Sequence, residues 1–237
     1  MGLMMRVRFV RRRLKARMAV LAVALASLTS LVSAAPSLPA TGPDAVSFFR
    51  AAQVDDARSI KPILARGLDP NLREPENGET GMIVALRHDA MRVFQLLLSQ
   101  PNIQLETTAD NGNTALMMAS FKKNKDAVLA LLAKGAQVNR PGWTALHYAA
   151  AAGDTSIMRI LLDHHAYIDA ESPTGVTPLM LAAREGMEDA VKLLLAEGAD
   201  ASLKDRGFKS TAAEFADRAD KPWISEAIRS HMAAAKR

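Results

Sequence analysis

The side chains best able to do chemistry in this 237-residue chain are five histidines: His88, His147, His164, His165 and His231. Metal binding would need three or four ligands converging on one point, and acid–base catalysis would need a histidine beside a partner carboxylate. The spacing argues against both. His164 and His165 are adjacent, and from a turn their rings cannot easily meet at one ion. The carboxylates Glu185, Glu188 and Asp189 fall at expected helix starts, where they suit the dipole better than a reaction. With no cysteine, the chain has no disulfide, thiolate ligand or cysteine nucleophile. No glycine-rich phosphate loop, Gly-x-Ser-x-Gly elbow or His-Glu-x-x-His pair occurs. The expectation is a non-enzyme with no cofactor and no metal site.

Charge narrows the partners. The chain carries 30 basic and 25 acidic residues, a formal net charge of +5. The excess is confined to residues 1–34, where Arg6, Arg8, Arg11, Arg12, Arg13, Lys15 and Arg17 stand without an acid. The remainder holds 23 basic against 25 acidic residues, a net −2. A body of that charge has no general attraction for phosphate backbones, so no nucleic-acid partner is expected.

The same 34 residues have the layout of a secretory signal peptide. "MRVRFVRRRLKAR" is basic, "MAVLAVALASLTSLV" (Met18 to Val32) is apolar, and "VSA" ends in small residues. The apolar run is short and dotted with hydroxyls for a membrane span. A bacterial periplasmic or secreted location follows as the expectation, with no membrane association after cleavage. Arg11-Arg12 before Leu14 leaves both the general and the twin-arginine export routes open. Residues 35–43, "APSLPATGP", are expected to be an extended Pro-rich linker. Their "LPATG" lies at the wrong end of the chain for a sorting motif and is read as coincidence.

The elements that must position any functional group come from a repeat. Copies open at Thr80, Thr114, Thr144, Thr177 and Thr211. Five positions on stand Ala85, Ala119, Ala149, Ala182 and Ala216; seventeen on stand Leu97, Leu131, Leu161, Leu194 and Ile228. A less regular copy comes first, with Ala51-Ala52 and "ILARGLDPN" (63–71). Each copy reads as two short helices: a Thr N-cap, a small-residue first helix, a tight turn and an amphipathic second helix closed by Gly. One pair cannot bury its own apolar face, so neighbours must stack. Composition agrees, since aromatics make up only 5% while Ala, Leu and Met are common.

Three local departures carry expectations. Asp89, Lys123 and Asp220 replace the inter-helix glycine seen at Gly153 and Gly186, so their turns should be less tight. His165 replaces glycine at a second-helix end that calls for positive φ. Pro62 should kink the second helix of the first copy or delay its start. The period also slips, from 33 or 34 residues to 30 between Thr114 and Thr144. The loss falls between Asn139 and Thr144, where "NRPGWT" replaces the longer "DAESPTGVT" (169–177). Helices cannot lose three residues without turning their apolar faces away, but a surface loop can.

"GWTALHYAAAAGD" (142–154), "GVTPLMLAAREG" (175–186) and "LLAEGAD" (194–200) resemble the signatures of the ankyrin repeat family. The resemblance covers residues from about Asp44 to Met232. It implies an all-α solenoid of about six helix pairs over residues 44–237, with β-hairpin-like fingers and degenerate end units. His147 then takes the "TALH" position that bridges neighbouring repeats. The shortened loop becomes a shortened finger, a notch with Trp143 beside it. Ankyrin domains usually bind proteins on the concave face formed by fingers and first helices. The residue before each Thr, and those seven and eight after it, are expected to point outward there. These are Glu79, Asn113, Trp143 and Val176, then Arg87, His88, Phe121, Lys122, Ala151, Ala152, Arg184 and Glu185. Trp143 and Phe121 are the expected anchors, unless they serve local packing across the short finger. Arg87, Lys122 and Arg184 would form a basic rim. The expected function is a monomeric, exported protein-binding module; a secreted effector acting on host-cell proteins through the same surface is the alternative.

Overall fold

A computed structural model describes residues 42–234. The expected signal segment, linker residues 35–41 and the last three residues lie outside the described part. Among the described residues, twelve helices follow one another in pairs. The first members are α1 (Pro43–Gln53), α3 (Gly81–Arg87), α5 (Ala115–Phe121), α7 (Ala145–Ala152), α9 (Pro178–Glu185) and α11 (Ala212–Arg218). The second members are α2 (Ala57–Ala65), α4 (Met91–Leu98), α6 (Lys125–Ala133), α8 (Thr155–Asp163), α10 (Glu188–Ala196) and α12 (Pro222–Ala234).

Each first helix after α1 starts where its Thr stops the extended finger. Thr80, Thr114, Thr177 and Thr211 have extended backbone and accept from the N–H three residues on, at 3.3–3.4 Å. That bond satisfies one of the orphan donors of the first turn. At Thr144 the backbone N–H donates to His147 Nδ1 at 3.1 Å.

All six inter-helix turns are built alike. The N–H groups of Asp56, Ala90, Asn124, Asp154, Met187 and Lys221 donate to the carbonyls of Ala51, Ala85, Ala119, Ala149, Ala182 and Ala216, at 2.8–3.1 Å. The preceding residue is left-handed in every case: Asp55 at φ 57°, Asp89 at 57°, Lys123 at 56°, Gly153 at 74°, Gly186 at 75° and Asp220 at 56°. The expectation of looser turns at Asp89, Lys123 and Asp220 is therefore corrected. The five-residue closing bond holds the turn whether or not the residue has a Cβ, and a non-glycine there bears some backbone strain. His165 takes φ 62° in the glycine slot after α8, as its position required. Pro62 lies inside α2, which nonetheless begins at Ala57 in register with the other second helices, so it does not delay the start.

Stacking produces one elongated core. Ala85, Ala119, Ala149, Ala182 and Ala216 are fully buried, and so are Leu97, Leu131, Leu161, Leu194 and Ile228. The alanines let successive first helices pack closely. The leucines fill the wider space between second helices, and each full burial stabilises by about 1.5–3 kcal/mol. Equivalent residues thus occupy equivalent layers, as the spacing demands.

The fingers contain a single isolated bridge, Arg73 to Thr80, and no strand among the described residues. Four of them are closed by a backbone bond across the finger: Glu74 N–H to Glu79, Ala109 to Asn113, Ser172 to Val176 and Asp205 to Ser210, at 2.8–3.0 Å. Tips also pair between neighbours. Asp110 N–H donates to Asn77 O at 2.8 Å, and Arg206 N–H to Thr174 O at 2.7 Å. The finger at 139–144 makes neither kind of backbone bond among the described residues. It remains tied at its base, where Asn139 accepts from Tyr167 N–H at 2.8 Å and donates to His165 O at 2.7 Å. Asn71, Glu106 and Asp169 make the corresponding base contacts to Gln104, Gln137 and Asp200. The row of fingers is continuous at its base and interrupted at its tips.

Candidate functional site

The interruption opens onto the first helices. Beneath the short finger lies a pocket of about 390 Å³ shared by α5, α7 and α9. Phe121 ends α5, Trp143 comes from the finger, Tyr148 and Ala151 from α7, and Leu181 from α9. Arg184 and Glu185 complete the lining. These residues occupy four repeat positions: one before the Thr, then four, seven and eight after it. The last three share a helix face because residues three and four apart lie one above the other.

The aromatic rings meet at steep angles. Phe121 and Tyr148 are 6.1 Å apart at 86°, Trp143 and Tyr148 are 6.4 Å apart at 60°, and Trp143 packs on His147 at 5.2 Å and 75°. The Tyr148 hydroxyl donates to Asn113 Oδ1, which fixes its ring between two units. Burial pushes the Tyr148 phenol up, against the opposing effect of that bond. Trp143 is half-buried and touches the core, while Phe121 is 52% exposed. Trp143 therefore packs across the short finger and also lines an open pocket.

Of the other expected surface residues, Val176 is buried at 8% exposure, as are Glu79 at 6% and Asn113 at 8%. The expectation that the residue before each Thr points outward is corrected for these three, and so is the outward position expected of Ala152, which is 8% exposed. The residue before the Thr lies under a full-length finger, and only the shortened finger leaves its counterpart, Trp143, partly open. Val176 still contributes, because its carbonyl oxygen accepts from His147 Nε2 at 2.9 Å. Burial drives the His147 imidazole down to about 4, so it is neutral and structural.

His88 is exposed at the end of α3. The three basic residues do not make an unbalanced rim. Arg87 meets Glu79 at 2.9 Å, Lys122 meets Asp89 at 3.0 Å and Arg184 meets Glu185 at 2.9 Å. Burial raises the Glu79 carboxyl more than Arg87 lowers it. Glu185 closes α9 instead of opening a helix; Glu188 and Asp189 do stand in the first turn of α10.

Tyr148 and Leu181 line the pocket, and the repeat pattern passed over both. The available signal was their place four after the Thr, one helical turn from the exposed positions. A second pocket, of about 410 Å³, lies in the first unit, lined by Val46, Phe49, Arg50 and Gln53 of α1 and by Glu74 and Glu76 of the first finger. His164, His165 and His231 are exposed. Among the described residues no three His, Asp or Glu side chains are grouped so as to hold a metal, and no helix is long and apolar enough to cross a membrane.

Comparison with known proteins gives a consistent result. The family described as "Ankyrin repeats (3 copies)" matches residues 48–141 and 137–205. The human transient receptor potential cation channel subfamily A member 1 is 32% identical over 160 residues, which is 63% of this chain and 14% of that protein. The human SH3 and multiple ankyrin repeat domains protein 2 is 33% identical over 150 residues, 62% of this chain and 8% of that one. The chain thus spans only a small part of these relatives. Among solved structures, the human ASB11 ankyrin repeat domain superposes with a TM-score of 0.66 at 24% identity, covering 78% of this chain and 82% of that one. A chain from the complex of a Bdellovibrio bacteriovorus predatory endopeptidase with an immunity protein gives 0.66 at 25%, covering 78% and 97%.

Proposed function

Because the chain belongs to the ankyrin repeat family, whose repeats generally mediate protein–protein interaction, we propose that it is a non-enzymatic module holding one protein partner on its concave face. The observation that carries this reading is the pocket under the short finger, where Phe121 of one unit and Trp143 and Tyr148 of the next line one opening. Aromatic side chains set in a concavity with charged neighbours have the make-up of binding hot spots.

The basic–apolar–small layout of residues 1–34 supports export to the periplasm. There the partner we favour is an envelope enzyme, held so that its activity is restrained. The Bdellovibrio complex, which joins an endopeptidase to an immunity protein, supports that class of partner. Pull-down with the tagged chain from a periplasmic extract tests the reading. Trp143→Ala should lose the captured partner while helical circular dichroism is unchanged. Capture equal to wild type would remove this pocket as the binding site.

A further inference from the structure

Resting on the concave-face reading, we infer that the pocket under the short finger receives a lysine side chain of the partner. Three observations lead there. First, three aromatic rings line the space in different planes, Phe121 at 86° to Tyr148 and Trp143 at 60° to Tyr148. Ring faces carry the negative end of the aromatic quadrupole and attract cations, most strongly when water is excluded. Second, the remaining charge is balanced. Arg184 is held by Glu185 at 2.9 Å, which leaves a carboxylate beside the rings that a second cation can share. Third, among the described residues the chain's own cations stack on rings elsewhere, Arg218 on Phe208 at 4.8 Å and Lys221 on Trp223 at 5.4 Å, and not in this pocket.

The geometry selects lysine over arginine. A planar guanidinium does best flat against one ring, whereas a compact ammonium on a flexible apolar stem suits crossed walls. The stem would lie against Ala151 and Leu181, the apolar part of the lining. The volume of about 390 Å³ accommodates the whole side chain.

The test compares two probes on the whole chain by the NMR shift of the Trp143 indole. One is N-acetyl-lysine amide. The other is N-acetyl-2-aminoheptanoic acid amide, in which a methyl group replaces the ammonium. The lysine probe should bind about ten-fold tighter, the size of a partly desolvated cation–ring contact. Glu185→Gln should weaken the lysine probe and leave the neutral probe unchanged, and Leu129→Ala on α6 should change neither. Equal binding of the two probes, or preference for the neutral one, overturns the inference. If neither probe shifts Trp143 while Trp143→Ala still abolishes partner capture, the lysine falls and the concave surface stands. If capture also survives that substitution, both fall.

Discussion

His147 Nε2 donates to the carbonyl oxygen of Val176 at 2.9 Å, across the boundary between two stacked units. A carbonyl can only accept, so Nδ1 is the unprotonated nitrogen and takes the Thr144 N–H at 3.1 Å. One neutral imidazole thus caps its own helix and ties it to the next.

A pH dependence follows. An imidazole titrates near 6.5 in an unfolded chain, and burial pushes that of His147 down to about 4. Between those values the unfolded chain takes up a proton that the folded one refuses. This contribution is fully present above pH 6.5, falls as the pH drops and is gone by about pH 4. Its size is about 3 kcal/mol. Urea midpoints at pH 7 and pH 4.5 should differ by much more in wild type than in His147→Gln. Equal differences would show that His147 is not the group responsible.

Asn139 is the second inter-unit tie at the interrupted finger, bonding His165 O and Tyr167 N–H. Its replacement by Ala leaves both backbone groups without their partner and should cost about 1–2 kcal/mol in chemical denaturation. Asn139→Asp keeps the acceptor and should cost less. Identical losses would mean that the bond to Tyr167 contributes nothing.

The short finger should matter for binding and little for stability. Inserting three residues between Arg140 and Pro141 restores the common length, and lengthening a surface loop costs only a few tenths of a kcal/mol. The thermal midpoint should stay within a few degrees while partner capture falls, because a full finger covers the residue before the Thr as it covers Val176. Undiminished capture would show that the gap plays no part in recognition.

Much of this was legible in the sequence, for a physical reason. A stacked repeat forces equivalent residues into equivalent surroundings, so Leu131, Leu161 and Leu194 could be placed from spacing alone, and all are fully buried. The five Thr positions marked every later first-helix start in the same way. Reading by period misled where one copy's environment differs from the rest. Trp143 and Val176 share a repeat position, yet finger length exposes one and buries the other. Tyr148 was missed because its position holds Val84, Met118 and Leu181 in neighbouring copies, which look like ordinary core. Asp89, Lys123 and Asp220 were expected to loosen their turns because residue type was weighed without the closing bond from the Ala carbonyl five residues after each Thr.

The central claim is that recognition occurs on the concave face beneath the short finger. Photocrosslinking in the periplasm tests it most directly, with a photoreactive residue at Phe121 in one strain and at Leu129, exposed on α6, in another. A discrete adduct from Phe121 and none from Leu129 is the expected result. Adducts from Leu129 alone, or equally from both positions, would contradict it.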